Sequence, residues 1–477
     1  MSFIKNAAII LSGRVVSILV GLVSVMVLPR ILVPQDMGFY AYWFSIVALI
    51  EIAISFGTSS TIDRLIPQFL VESPGVVRPF LRKVLLTRGI VAIIVFAGTL
   101  VVSPQPIWFG IAIAGAFILT IANGIASYFY SIKEMGKFVS SSTIHGISRI
   151  VLLLVLPVFF GKNGIFAAVV LYGAAYSLLL AVPFLKSFSH LPKDEPLHFR
   201  PVLGYGLLLC AGATAIALVA RAFIPAAHHV YADITAIGYL SFAFILIIQT
   251  LRLLPESFAL SVYHDMIQSL ARTESVQMQR DIFERGYRAL NILLFPLVGG
   301  CAFTINSGIL YLAGSRYNGS AVYCLYLLPA MVFMNWSLLG RYYLMASNKT
   351  VDLLVHSVVS AVAAGISLVF FVPRFGLVAA PLCLAGFFAL LWCLSFIHTK
   401  KLYSQQLLVS AFVKPLIATT VMVVALWFFP QGSPVLLIGE ILLGIVVYSG
   451  VLFVIQGIPR EITERLPFGM RGRISNG

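Results

Sequence analysis

Residues 6–29 read NAAIILSGRVVSILVGLVSVMVLP. A single charge, Arg14, interrupts an otherwise apolar or small-residue run. As a helix it is about 36 Å long, enough to cross a hydrocarbon core of roughly 30 Å. A secretory signal would have a shorter apolar core followed by a small-residue cleavage site. No A-x-A-like site follows here, so the stretch reads as a retained first membrane helix.

The same kind of run recurs along the chain. Of 477 residues, 60% are hydrophobic and only 10% charged, with mean hydropathy +1.00. A soluble domain carries roughly 25% charge, so the bilayer is this chain's main solvent. Spans are expected at 6–29, 37–56, 84–103, 107–130, 139–160, 164–185, 202–224, 234–258, 289–312, 320–344, 351–372, 377–397, 408–429 and 434–455. The fold class is therefore an all-α integral membrane protein of about fourteen transmembrane helices.

Orientation follows from loop charge, because Lys and Arg accumulate on the cytoplasmic side. With the N-terminus inside, the even-numbered loops carry Arg64, Arg78, Arg82, Lys83, Lys133, Lys137, Lys193, Arg200, Arg272, Arg280, Arg285, Arg288, Lys349, Lys400 and Lys401. The tail adds Arg460, Arg465, Arg471 and Arg473; the odd-numbered loops carry only Arg30, Lys162, Arg316 and Arg374. Both termini are expected to be cytoplasmic. The net charge of +15 is distributed in this way between apolar runs, with no basic tail or basic–aromatic stripe, so it points to membrane lipids and not to nucleic acid. The five cysteines lie in apolar runs without metal-ligand spacing, and read as small core hydrophobes. The longest loops, 57–83 and 259–288, could each form a surface helix, but neither has room for a nucleotide-binding fold. No G-x-x-x-x-G-K-[ST] run occurs, which argues against an ATP-driven pump. No nucleophile–base arrangement or metal-binding cluster points to an enzyme.

An internal repeat is suggested by two helix starts. The second helix opens Met37-Gly38-Phe39-Tyr40-Ala41-Tyr42-Trp43-Phe44, and the eighth opens Ile237-Gly238-Tyr239-Leu240-Ser241-Phe242-Ala243-Phe244. Each follows an Arg…Pro step, Arg30/Pro34 and Arg221/Pro225, and precedes a long basic loop. A six-helix unit repeats with parallel topology. The chain would then divide into an N-terminal lobe at 1–200, a C-terminal lobe at 201–400, and two additional helices with a cytoplasmic tail at 401–477. Two parallel six-helix lobes would flank a central cavity, as alternating access requires.

Ionisable groups inside the hydrocarbon are costly and tend to face a cavity or each other. They are Arg14, Glu51, Arg88, Arg149, Arg221, Arg252, Glu256, Arg341, Lys414 and Glu440. Arg88, Arg221, Arg341 and Lys414 lie close enough to helix ends for their heads to reach the interface instead. Glu440 reads as lying near the outer interface. Arg14 borders a small-residue stripe; His145 and Arg149 stack at i, i+4; Arg252 and Glu256 can pair at the same spacing. Such faces either line a cavity or hold helices together by hydrogen bonds. Arginine outnumbers acid, which suits an anionic ligand, because guanidinium binds phosphate bidentately. Candidate substrate-binding residues are thus Arg14, Arg149, Arg252, Arg221, Arg341 and His145. Candidate ion-coupling residues are Glu51, Asp63 and Glu256.

Several segments resemble the polysaccharide-transport branch of the multidrug/oligosaccharidyl-lipid/polysaccharide flippase superfamily, which includes the Wzx-type O-antigen flippases. They are Leu28-Pro29-Arg30-Ile31-Leu32-Val33-Pro34-Gln35-Asp36-Met37-Gly38, Ser55 to Arg64, Gly238-Tyr239 with Leu254-Pro255-Glu256-Ser257-Phe258, and Pro296 to Tyr317 with its Gly314-Ser315-Arg316-Tyr317 turn. The resemblance spans most of residues 1–400 and is loose beyond. Leu28-Pro29 departs from the small residue commoner there. Lipid II flippases of the same superfamily also have a fourteen-helix layout, with cavity arginines that Arg14 and Arg252 could match. The resemblance implies an undecaprenyl-diphosphate-linked oligosaccharide as substrate, moved from the inner to the outer leaflet of a bacterial cytoplasmic membrane. It implies coupling to H+ or Na+ or to the membrane potential, with no other cofactor. Polysaccharide polymerases or glycosyltransferases would be its protein partners. A drug or metabolite antiporter of the same fold, or a membrane subunit of an exopolysaccharide complex, would fit the composition too.

Overall fold

The computed structural model describes residues 19–457 apart from 56–57, 103–105, 133, 190–198, 232, 253–254, 256–265, 267–274, 348, 405–406 and 431. Every regular element among the described residues is helical. In chain order they are α1 (Leu19–Ile31), α2 (Pro34–Ser55), α3 (Thr58–Glu72), α4 (Val77–Val102), α5 (Pro106–Ser131), α6 (Met135–Ser189) and α7 (Phe199–Val230). Then follow α8 (Ile234–Phe244), running into a π-helical stretch Ile245–Leu251, α9 (Val276–Ala313), α10 (Ser320–Ala346), α11 (Thr350–Phe375), α12 (Ala379–Thr399), α13 (Lys414–Trp427) and α14 (Pro434–Val454).

The helix α6 is two spans. Gly161 takes φ 54°, ψ −133°, and the chain reverses there. The imidazole of His145 lies 5.1 Å and 5.0 Å from the rings of Tyr172 and Tyr176, so the two arms lie side by side. Counted this way, a described helix falls within each of the fourteen expected spans, though residues 6–18 of the first and most of 253–258 of the eighth lie outside the described residues. Of the two loops expected to be able to form surface helices, 57–83 contains α3, whose apolar and polar residues segregate to opposite faces; 259–288 lies partly outside the described residues, and its end, from Val276, is the start of α9.

Corresponding pairs of helices pack together in the two expected lobes. In the first lobe α2 packs on α5, α4 on α5, and α5 on α6; in the second, α8 packs on α10, α9 on α10, and α10 on α12. The lobes meet where α2 crosses α7 and α8. Gly38 and Gly238, the matching glycines of the two helix starts, face each other there. A Cβ on Gly238 would stand 1.7 Å from the Pro34 carbonyl oxygen, and one on Gly38 2.7 Å from the Ile234 oxygen. Only hydrogen at both positions lets these backbones touch. Around them Tyr317 Oη donates to the Leu32 carbonyl at 2.7 Å, Arg30 donates to the Tyr311 carbonyl at 3.3 Å, and Tyr42 packs on His228 at 5.2 Å. One end of the bundle is thereby closed between the lobes. The Arg…Pro steps are not equivalent: Pro34 opens α2, whereas Pro225 lies inside α7.

The last two helices dock on α9. Tyr448 Oη donates to the Ile292 carbonyl at 2.8 Å. Asn291 donates to the Ala411 carbonyl at 2.8 Å, in the π-helical turn Leu408–Val413, while its Oδ1 accepts from Trp336 Nε1 at 2.8 Å. Cys301, Cys324, Cys383 and Cys393 are free thiols. Cys393 departs from the core expectation: it is exposed on the surface of α12.

Candidate functional site

Ionisable side chains converge at the junction of α2, α6, α7 and α8. On α2, Tyr40, Phe44 and Glu51 share one face, at spacings of four and seven residues. Phe44 packs on Tyr40 at 5.7 Å and on Tyr172 of the returning arm of α6 at 6.3 Å. Two guanidinium groups lie against this one ring: Arg149 of α6 at 5.4 Å and Arg221 of α7 at 5.6 Å from its centroid. A cation over an aromatic face gains roughly 0.5–2 kcal/mol, more as water is excluded. The aromatic ring thus lets two like charges from opposite lobes stand in one place.

Arg221 also interacts electrostatically with Glu51, Arg149 and Arg252. Arg252, half-buried at the end of the π-helical stretch, donates its Nε to the Ile248 carbonyl at 3.1 Å. Nε of Arg149 is buried without a hydrogen-bond partner. His145 sits between Tyr172 and Tyr176 and interacts with both Arg149 and Arg221. Glu51 accepts from Asn123 Nδ2 of α5 at 3.1 Å, and its charge is felt by Arg88 and Arg221. Among the described residues the cluster therefore joins three arginines, a histidine and one carboxylate, and is strongly cationic.

Four substrate-binding candidates, Arg149, Arg221, Arg252 and His145, thus come together, with Glu51 beside them. Arg341 is half-buried on α10. Arg14 and Glu256 lie outside the described residues, as does the side chain of Asp63. Tyr40, Phe44, Asn123 and Tyr172 were not singled out from the sequence. Asn123, a polar side chain within an apolar run, was the one available signal; aromatic residues in a membrane helix carry none.

Arg88 differs from the interfacial reading. It is fully buried, donating Nε to Thr58 Oγ1 at 2.8 Å, Nη2 to Ser59 Oγ at 3.0 Å, and Nη1 to the Thr120 carbonyl. Gly124 leaves room for it, since a Cβ there would fall 2.5 Å from Nη1. The guanidinium has enough acceptors at this depth to dispense with the interface, and it ties the start of α3 to α5. Glu440 is buried, 1% exposed, on α14, with Oε2 unpartnered. Lys414 does reach a helix end, donating to the Gln456 carbonyl at 3.0 Å. No group of three or more metal-ligating side chains occurs among the described residues.

Neither the family models nor the curated proteins yield a match to the sequence. Solved structures do. The lipid II flippase MurJ in an inward closed conformation superposes with TM-score 0.70 at 14% identity, over 96% of this chain and 100% of that one. An inward-facing multidrug resistance MATE family transporter of the MOP superfamily gives 0.63 at 13%, over 83% and 97%. A MOP superfamily transporter from Pyrococcus furiosus, described as having a binding pocket of reverse polarity, gives 0.58 at 12%, over 82% and 94%. The chain has the fold of MOP superfamily transporters. The stretch after residue 400 is about the size of the share that the MATE structures leave uncovered.

Proposed function

We propose that the protein is a flippase that moves a polyprenyl-diphosphate-linked oligosaccharide from the cytoplasmic to the outer leaflet by alternating access. The observation that carries this reading is the pair of guanidinium groups, Arg149 and Arg221, that meet from opposite lobes over Phe44, with Glu51 the one carboxylate among the described residues of the cluster. Such a site suits a diphosphate: two arginines offer bidentate donors, and a dianion relieves their mutual repulsion. Because one arginine stands on each lobe, a bound diphosphate also joins the lobes, so its arrival acts on the equilibrium between their arrangements. The prenyl tail stays in lipid while the sugars occupy the space between the lobes.

Loop charge places the Gly38–Gly238 end outside. The protein is then sealed towards the outer face, in the state that loads from the cytoplasm. Glu51 is the described carboxylate nearest to the arginines and is the candidate to exchange H+ or Na+ with the gradient. The likeness to MATE transporters favours a second reading, a metabolite antiporter of the same fold. The cationic interior would then restrict it to anionic substrates.

The test is to delete the gene in its host and measure lipid-linked saccharide on each leaflet. Accumulation on the cytoplasmic leaflet, relieved by the wild-type gene but not by Arg149→Ala or Arg221→Ala, is the expected result. Unchanged surface polysaccharide without precursor accumulation would refute it in favour of the antiporter. Replacing Glu51 by Gln is expected to leave binding intact while uncoupling transport from the imposed gradient.

A further inference from the structure

On the membrane-facing side of the second lobe, an apolar groove of about 630 Å³ runs between α11 and α12, with Tyr326 of α10 at its side. It falls within the roughly 300–1,000 Å³ range of ligand sites. Along α11 its lining extends from Ala363 past Phe371 to Phe375, a helical rise of about 18 Å. One leaflet of the hydrocarbon core is about 15 Å deep. The groove is thus as long as one leaflet, starting near mid-membrane and opening at the end of the bundle that holds the Gly38–Gly238 contact.

Its walls are open to the lipid. Phe371, Phe375 and Leu382 are 45%, 70% and 46% exposed. At Gly386 a Cβ would meet nothing within 4 Å, so the groove is a space between side chains and not a tight glycine crossing. Arg374, exposed beside Phe375 at the mouth, is the basic residue in the last turn of α11. A hydrocarbon slot of leaflet length with a cation next to its mouth has the form of one phospholipid: chain below, phosphate above.

We infer that this groove is a specific phospholipid site, holding one acyl chain between α11 and α12 with the lipid phosphate at Arg374. The lipid fills the seam between two helices that move as part of one lobe, and it exists independently of whatever substrate the central site takes.

The protein reconstituted in nanodiscs of phosphatidylethanolamine and phosphatidylglycerol, released into mild detergent and weighed by native mass spectrometry, should retain one phospholipid. Gly386→Leu fills the groove without striking the protein, and is expected to lower that occupancy at least tenfold. Gly450→Leu, at an equally open position on α14, should leave it unchanged. Arg374→Gln lies outside the packed core and tests the headgroup independently, with an expected several-fold loss of retained phosphatidylglycerol. Equal lipid retention by wild type and Gly386→Leu would overturn the inference. So would displacement of the retained phospholipid by added undecaprenyl phosphate, which would make the groove a tail site for the substrate.

Discussion

Adding a single methyl group at Gly238 should open the closed end of the bundle. The Cβ of Gly238→Ala would stand 1.7 Å from the Pro34 oxygen and 2.5 Å from its carbonyl carbon. Both are backbone atoms, so no side-chain rotation relieves the clash. Non-bonded Cβ contacts stay beyond 3.0 Å, and α2 and α8 must part by upwards of about 1 Å at this point. Overpacking of this kind costs roughly 1–3 kcal/mol. The cost falls only on the arrangement in which these ends touch; Ala is otherwise the better helix former. The equilibrium should therefore shift roughly 5- to 150-fold towards the arrangement with these ends apart. Spin labels at Ile31 and Val322, exposed positions on α1 and α10, report the separation by double electron–electron resonance in a background lacking native cysteines. A new, longer distance population in Gly238→Ala is expected. Gly386→Ala, with open space at its Cβ, is the silent control. A folded Gly238→Ala protein with the wild-type distance distribution would refute the role of the glycine contact as a seal.

Replacing Phe44 by Leu removes the ring shared by Arg149 and Arg221, worth roughly 0.5–2 kcal/mol per guanidinium; the transport KM should rise severalfold with expression unchanged. Arg88→Met strands Thr58, Ser59 and the Thr120 carbonyl without their donor, at about 1.5–3 kcal/mol per charged hydrogen bond. Thermal unfolding in detergent should show a clear loss of stability, which a lysine at 88 restores only in part. Asn291→Ala leaves the Ala411 carbonyl and the Trp336 N–H unpaired, and should destabilise by about 1–3 kcal/mol. Limited proteolysis should then release α13–α14 before the two lobes.

The fourteen spans were legible in the sequence because hydrocarbon forces every backbone polar group into local pairing. A run such as 434–455 can only be a helix, whatever its neighbours. The hairpin within α6 was legible for a related reason: Gly161-Lys162-Asn163-Gly164 interrupts the apolar run with turn residues, one of which adopts positive φ. Gly38 and Gly238 could be matched by eye, but the sequence did not say that they touch. That contact joins residues 200 positions apart, and only the crossing of α2 with α8 creates it. The same holds for the site. Intramembrane Arg149, Arg221 and Arg252 were conspicuous because charge is rare in such helices. Which of them share one environment depended on packing: Phe44 holds Arg149 and Arg221, which come from two different helices. Arg88 shows the limit most clearly. Depth along a helix suggested an interfacial head, yet hydroxyls of α3 and a carbonyl of α5, freed by the lack of a side chain at Gly124, hold it inside. A sequence fixes which residues must leave water or be paired; the tertiary structure alone decides with whom, because the partners come from helices that are distant in the chain.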